Sequence, residues 1–242
     1  VVVIHIILLG EYVLRKHLLP HILIISFVLI FVLTGCGTTL KQGFVSDAEI
    51  KVETEKQQDM VFSLFMKRCD KLHSIAYPLL VAAGDIFPKQ ARPICGFKLH
   101  DKYLYGELLG SEYEEVAERH GIDELITVEY IHPSLPVGST DLKIGDQVLS
   151  INDKSLVGKN ALKATKIIQH LKEDTSIKLL IKRNSQIKEL VIPCVLGCKY
   201  PVNIAYDGTL NAWADNKSVT VTTGMIRFCE TDKELARNGR SG

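Results

Sequence analysis

The spacing of apolar and polar positions divides the chain into four textures. Ile22 to Leu33 is an apolar run interrupted only by Ser26. Further on, Met60, Val61, Leu64, Phe65, Leu72, Ile75 and Leu79 recur at three- and four-residue spacing, the period of a helix with one buried face. Glu53, Glu55, Lys56, Asp59, Lys67 and Asp70 fall between them. The pattern predicts one amphipathic helix from Asp47 to Tyr77, stopped at Pro78, where proline removes a backbone donor and clashes with the preceding turn. From about Cys95 to Val195 short strands alternate with turn signals. Ile126 to Ile131 reads as a strand and Pro133 to Thr140 as a loop. Asn160 caps a helix whose apolar stripe is Ala161, Ala164, Ile168 and Leu171. Ile177, Leu179 and Ile181 then alternate with polar residues, Asn184-Ser185 turns the chain, and Ile187 to Ile192 returns as a hairpin. After Pro201 a second strand pair is predicted, Thr209 to Asp215 and Ser218 to Phe228, turning at Asn216-Lys217. Thr231 and Glu234 form a capping box that opens a last helix. The expected fold class is α+β.

Composition adds a core and removes one class of partner. Hydrophobic residues make up 46% of the chain and charged residues 24%, enough to pack an interior and too apolar for wholesale disorder. Of 29 basic and 28 acidic side chains, Arg15, Lys16 and Glu11 lie in the first 35 residues, which leaves 27 of each beyond. A balanced surface without a dense basic run gives no electrostatic case for nucleic acid.

The apolar run carries a more specific signal. Twelve helical residues cover about 18 Å, short of the roughly 30 Å hydrocarbon core of a bilayer. Arg15, Lys16 and His17 precede the run, in the manner of a signal peptide. Leu33-Thr34-Gly35-Cys36 follows it and resembles the bacterial lipobox, where small residues let the backbone enter the peptidase and the cysteine thiol is acylated. The resemblance implies that Cys36 is lipidated, with the mature chain anchored to a membrane of the bacterial envelope and facing the periplasm. An uncleaved anchor helix over Leu18 to Leu33 is the alternative. Val1 to Gly10 precedes the basic region and the chain opens on Val1 rather than Met, which reads as a misplaced start. Of the other cysteines, Cys69 with Cys95 and Cys194 with Cys198 are the pairs nearest in sequence; spacing does not fix the connectivity. Buried thiols are expected for most of them.

Leu142 to Asp153 reads Leu-Lys-Ile-Gly-Asp-Gln-Val-Leu-Ser-Ile-Asn-Asp and resembles the signature of PDZ domains, with the following helix and hairpin at the family's spacing. Gly145 permits a turn costly for other residues, and Asp146 can accept from backbone donors there. Val148, Leu149 and Ile151 are expected in the core, and Asn152-Asp153 in the next tight turn. The loop at Pro133 departs from the family, reading Pro-Ser-Leu-Pro-Val-Gly-Ser-Thr where a Pro-Gly-Ser-Pro-Ala type start is usual. The resemblance implies binding of extended peptides or protein C-termini, added as a strand to a sheet edge beside the helix. Gly96 and Phe97 would form the loop facing the terminal carboxylate, Leu99 the paired strand, and Ala164, Ile167 and Ile168 the helix wall. An ordinary turn with a core aromatic at Gly96-Phe97 is the competing reading.

The last segment resembles zinc metallopeptidases of the CAAX-prenyl-protease and HtpX/Oma-like type. Asn211-Ala212-Trp213-Ala214, Gly224-Met225-Ile226 and Asp232-Lys233-Glu234-Leu235-Ala236 stand in that family's order. The family continues into H-E-x-x-H, two histidines on one helix face holding zinc beside a glutamate that polarises water. This chain has no His-Glu pair. Of its eight histidines (His5, His17, His21, His73, His100, His120, His132, His170) only His17 and His21 are four apart, with Pro20 between them. Zinc is thus expected of the full-length family enzyme, while no metal ligand and no catalytic residue can be assigned here.

The resulting layout is a lipoprotein signal peptide at 1–35, a tether at 36–46, a helical segment at 47–94, a PDZ-like β-sandwich or barrel module at 95–195 and the truncated start of a metallopeptidase core at 196–242. Three readings compete: part of an envelope metalloendopeptidase, a stand-alone PDZ lipoprotein that binds peptides without catalysis, and a structural lipoprotein whose groove is closed.

Overall fold

A computed structural model of the protein describes residues 46–171, 175–198, 200–215, 217–229 and 231–238. The signal-peptide segment and Cys36 lie outside the described residues. Among those residues, no helix is long and apolar enough to cross a membrane.

The first helix, α1, spans Asp47–Ile86 and continues through Pro78, past the expected end at Tyr77. A proline inside a helix costs about 3 kcal/mol, so packing must offset it, and the extra turns have a partner. Gly84 lies so close to Gly197 that a Cβ on Gly84 would stand 2.6 Å from the Gly197 Cα. The buried face also differs from the predicted stripe. Phe62, Phe65, Cys69, Leu72 and Ala76 are buried, whereas Met60, Leu64 and Leu79 are exposed. Apolar residues occupy two overlapping faces of α1, and the neighbouring core takes the one that carries both phenylalanines.

The chain enters and leaves the next module through a two-stranded antiparallel stem, β1 (Ala91–Ile94) against β8 (Val195–Cys198). A Cys95–Cys194 disulfide sits just inside that stem. Neither sequence-near pairing forms: stem geometry joins residues 99 apart, while Cys198 at the end of β8, Cys69 and Cys229 are buried outside that bridge. The module's sheet runs β2-β3-β4-β6-β7, with β5 (Lys154–Ser155) paired to β4. Its strands are β2 (Phe97–His100), β3 (Thr127–Ile131), β4 (Gln147–Ile151), β6 (Ser176–Arg183) and β7 (Gln186–Pro193). Helix α4 (Ala161–Gln169) is capped by Asn160, whose side chain accepts from the Lys163 N–H.

The turn chemistry follows the sequence. Gly145, Asn152, Asp153, Asn184 and Ser185 all have positive φ. Asp146 accepts from the Lys143 N–H at 2.8 Å, as its position predicts. It also takes both Nε and Nη2 of Arg183 at 2.6 Å, a fork that ties the loop to β6. Val148 and Ile151 are buried. Leu149 is only half-buried and lines an open cleft, because the β4–β6 register shifts between Val148 and Ser150 and such a bulge breaks strict alternation.

Two helices absent from the predicted pattern, α2 (Lys102–Leu109) and α3 (Tyr113–Arg119), lie between β2 and β3. Their Tyr105, Tyr113, Val116 and Ala117 join a second core with the phenylalanine face of α1 and with Ile204, Val221, Ile226, Cys229 and Leu235. The last part of that core is a three-stranded sheet, order β10-β11-β9, in which β9 (Val202–Ala205) runs parallel to β11 (Val219–Thr222) and β10 (Ala212–Ala214) antiparallel to it. The predicted strand through Phe228 stops at Thr222. There the Thr222 side chain accepts from the Met225 N–H at 3.1 Å and caps α5 (Thr223–Phe228), so Gly224-Met225-Ile226 is helical. A Cβ at Gly224 would stand 2.2 Å from the Thr209 carbonyl oxygen, which explains glycine there. The expected capping box forms: the Thr231 N–H donates to Glu234 and the Glu234 N–H to Thr231 at 3.2 and 3.3 Å, opening α6 (Asp232–Asn238).

Candidate functional site

One edge of the larger sheet is β2, with β3 on one side and α4 packed against it. Gly96 opens this edge with φ +72°, and a Cβ there would stand 2.7 Å from Leu135 Cδ1; glycine is required by both conformation and space. The Gly96 carbonyl accepts from the His132 N–H at 2.8 Å. Carbonyls alternate along a strand, so the Phe97 carbonyl faces away from β3, toward the side an added strand would use. There it accepts from the Tyr77 hydroxyl of α1 at 3.0 Å.

The predicted groove residues do come together, but unevenly. Phe97, Leu99 and Ala164 are buried as its floor, with Gly96 buried at its head, and Ile167 and Ile168 are half-buried along the helix wall. The two isoleucines are the partly exposed apolar surface beside β2. Asp101, fully buried, accepts from the Leu104 N–H at 2.9 Å and from the Ala161 N–H at 2.6 Å. One carboxylate thus caps α2 and also holds the start of α4 to the end of β2. On the other side of that tie, a cleft of about 590 Å³ is lined by Tyr103, Leu125, Leu149, Val157, Lys163 and their neighbours.

Sequence reasoning missed Tyr77 and Asp101. For Asp101 a signal existed: an acidic cap three residues before Leu104, followed by Tyr105, Leu108 and Leu109 at helical spacing. Tyr77 carries none, since its role depends on where α1 comes to lie.

A polar seam fixes α1 over the outer face of β2 and β3. Lys98 pairs with the buried Glu129 at 3.6 Å, the Tyr105 hydroxyl donates to Glu129 at 3.3 Å, and His100 Nδ1 meets that hydroxyl at 2.9 Å. From α1, Cys69, Asp70 and His73 face this group. Burial pushes the Cys69 thiol up to about 12. Burial, then the nearby Lys98, lowers His73 to about 3, so it is neutral across ordinary pH. Burial foremost, with the Glu129 charge second, raises the Asp70 carboxyl. Burial thus holds the Cys69 thiol and the His73 ring in their uncharged forms inside the seam. Tyr77 continues the seam, its ring stacked on Tyr130 at 6.3 Å. Among the described residues no group of three or more His, Cys, Asp or Glu side chains could hold a metal ion.

Residues 99–182 match the PDZ domain family, so the chain carries a PDZ domain, built on the sheet and helix described above. No curated protein sequence matches the chain. Among solved structures it is similar to the serine endoprotease from Yersinia pestis, at 18% identity over 44% of this chain and 30% of that one, with TM-score 0.30. It is also similar to the HtrA3 PDZ domain bound to a phage-derived ligand, at 14% identity over 44% and 91% of the two chains, TM-score 0.31. For the HtrA-type protease AlgW with a decapeptide the values are 19%, 46% and 30%, TM-score 0.32. The chain thus spans 30% of the length of either protease chain. The family match ends at residue 182, and none of these comparisons supports the metallopeptidase resemblance expected of the segment 211–236.

Proposed function

We propose that this chain is a lipid-anchored envelope protein whose PDZ domain captures the C-terminal tails of other proteins through the groove between β2 and α4. The observation that carries the reading is the edge of β2 that no described strand pairs: it follows a glycine with φ +72°, presents the Phe97 carbonyl away from β3 with Tyr77 as its partner, and runs beside the apolar wall of Ile167 and Ile168. Backbone pairing on that edge supplies affinity, and the pocket under the two isoleucines selects an apolar last residue. The Cys95–Cys194 disulfide supports an oxidising compartment such as the periplasm, in keeping with the lipobox and with Cys36 as its acylated residue.

The finer part of the reading is descent from a zinc metalloendopeptidase acting on envelope proteins. In its favour, the family-like motifs at 211–236 and the helix α1 share one core, with the PDZ domain connected through the β1–β8 stem. A stand-alone peptide-binding lipoprotein would use the same groove. An in-frame H-E-x-x-H in the coding sequence beyond Ala236 favours the peptidase; its absence favours the stand-alone protein.

Screening the full chain against random peptides with free carboxyl termini tests the groove directly. Tails with an apolar last residue are expected to bind near micromolar Kd, about −8 kcal/mol. Ile168→Glu should abolish that binding without loss of fold, since Ile168 is half-exposed. No binder from a diverse library would leave the closed-groove structural protein as the surviving reading.

A further inference from the structure

We infer that the outer edge of β7 is a self-association surface, on which a second copy of this chain adds antiparallel about a two-fold axis at Glu189. Strand β7 ends the sheet opposite β2, so the inference stands apart from the peptide-binding reading. The strand has eight residues and offers roughly 27 Å of edge at about 3.4 Å per residue. No described strand pairs its outer side. Unpaired backbone of this kind templates a further strand, and proteins blunt it with bulges, prolines or lysines on the edge. Here the ladder with β6 runs from Gln186 to Pro193 without a register shift, and the proline stands at the last position. Lys188, on the face that holds the buried Ile192, is paired with Asp141 at 3.6 Å.

The bonding pattern sets the register. Just past β7, the Cys194 N–H donates to the Thr175 carbonyl at 2.8 Å, and inward and outward bonding alternate along an antiparallel ladder. Even-numbered residues of β7 therefore bond to β6, while Ile187, Glu189 and Val191 aim their N–H and C=O groups outward. Pro193 has the same orientation and no N–H to donate. One register uses every outward donor: Ile187 faces Val191 of the second copy, and Glu189 faces its own symmetry mate. A slip of two residues sets Pro193 against Ile187 in one direction and the turn residue Ser185 against Val191 in the other. Ile187 and Val191 are 63% and 61% exposed, and the pairing joins them as two apolar cross-strand pairs on one face. The weak point is the axis, where two Glu189 carboxylates meet. Each lies 3.9 Å from Lys178 of β6, which offsets the repulsion in part because Lys178 also serves Asp153 at 3.9 Å. A single strand pair is smaller than the roughly 1,600 Å² of a standard interface, so the dimer is weak and concentration-dependent.

The test follows the full chain, dispersed in excess non-ionic detergent, by sedimentation velocity over the micromolar range. The expected result is a reversible dimer that Val191→Lys abolishes, with the melting temperature kept because Val191 is a surface residue. Glu189→Gln removes the like-charge pair on the axis and should tighten the dimer by about two- to fivefold. Glu189→Cys supplies a readout that needs no equilibrium constant. Paired residues on the axis have Cα atoms about 5.5 Å apart, within disulfide reach, so mild oxidation should link two chains through position 189. Lys188→Cys, off the axis and on the other face, should not link. Monomer at every concentration, a dimer indifferent to Val191→Lys, or equal linking by the two cysteine variants would each overturn the inference.

Discussion

Tyr77→Phe tests the proposed groove at one bond, the one by which a side chain of α1 holds the Phe97 carbonyl that a tail on β2 would use. The substitution deletes one hydroxyl and keeps the ring, so the stack on Tyr130 at 6.3 Å and the edge contact with His132 at 6.0 Å persist. What disappears is the bond to the Phe97 carbonyl at 3.0 Å. In the wild type, a tail that adds to β2 has to offer its own N–H to that carbonyl in competition with Tyr77. A neutral hydrogen bond is worth about 0.5–1.5 kcal/mol net. At about 1.4 kcal/mol per decade, its removal should tighten tail binding by roughly two- to twelvefold. The assay is fluorescence anisotropy of a labelled tail selected from the library, read on wild type and variant at equal temperature and salt. The same tail with an amidated terminus should bind neither protein well, which fixes the orientation assumed. Unchanged or weaker binding by a Tyr77→Phe protein with wild-type melting temperature would show that the hydroxyl does not compete for the carbonyl, and would refute the reasoning.

Two further outcomes test the fold beneath the groove. Gly145 has φ +87° and nothing within 4 Å of an added Cβ, so Gly145→Val should cost about 1–3 kcal/mol from backbone strain alone; urea unfolding measures it, and a neutral result would disprove the strained turn. His73 is lowered to about 3 from an ordinary 6.5, by burial first and Lys98 second. Below about pH 6.5 the unfolded chain therefore takes a proton that the folded chain refuses, and stability falls as pH drops from there toward 3. At pH 5 the loss from this residue is about 2 kcal/mol; melting curves of wild type and His73→Gln should converge at acid pH, and parallel curves would place His73 outside the clamp.

Much of the PDZ domain was legible in the sequence because its signals are local. Alternation at Ile177, Leu179 and Ile181, the turns at Gly145, Asn152-Asp153 and Asn184-Ser185, and the caps at Asn160 and Thr231 each depend on a few adjacent residues, and the structure shows all of them. The strand expected through Phe228 failed where two local signals competed. Thr222 could continue β11 or cap a helix, and the close pass of Gly224 under the Thr209 carbonyl decided for the cap. Phe97, Leu99, Ala164, Ile167 and Ile168, which the family resemblance grouped, lie in one core cluster, whereas the degree of their burial was not legible. Other features were decided only in three dimensions. Cys95 pairs with Cys194 because the stem β1–β8 brings together residues 99 apart. Helix α1 runs past Pro78 because Gly84 finds Gly197, and it buries Phe62 and Phe65 because a second core, assembled from α2, α3 and the last sheet, needs them. Tyr77 reaches Phe97 and Asp101 reaches Ala161 for the same reason: each acts on a partner fixed by folding, at 20 and 60 residues' remove. Periodicity and turn chemistry are properties of short stretches, so sequence alone determines them. The choice among apolar faces, cysteine partners and hydrogen-bond acceptors depends on the free energy of contacts that exist only once distant segments have met.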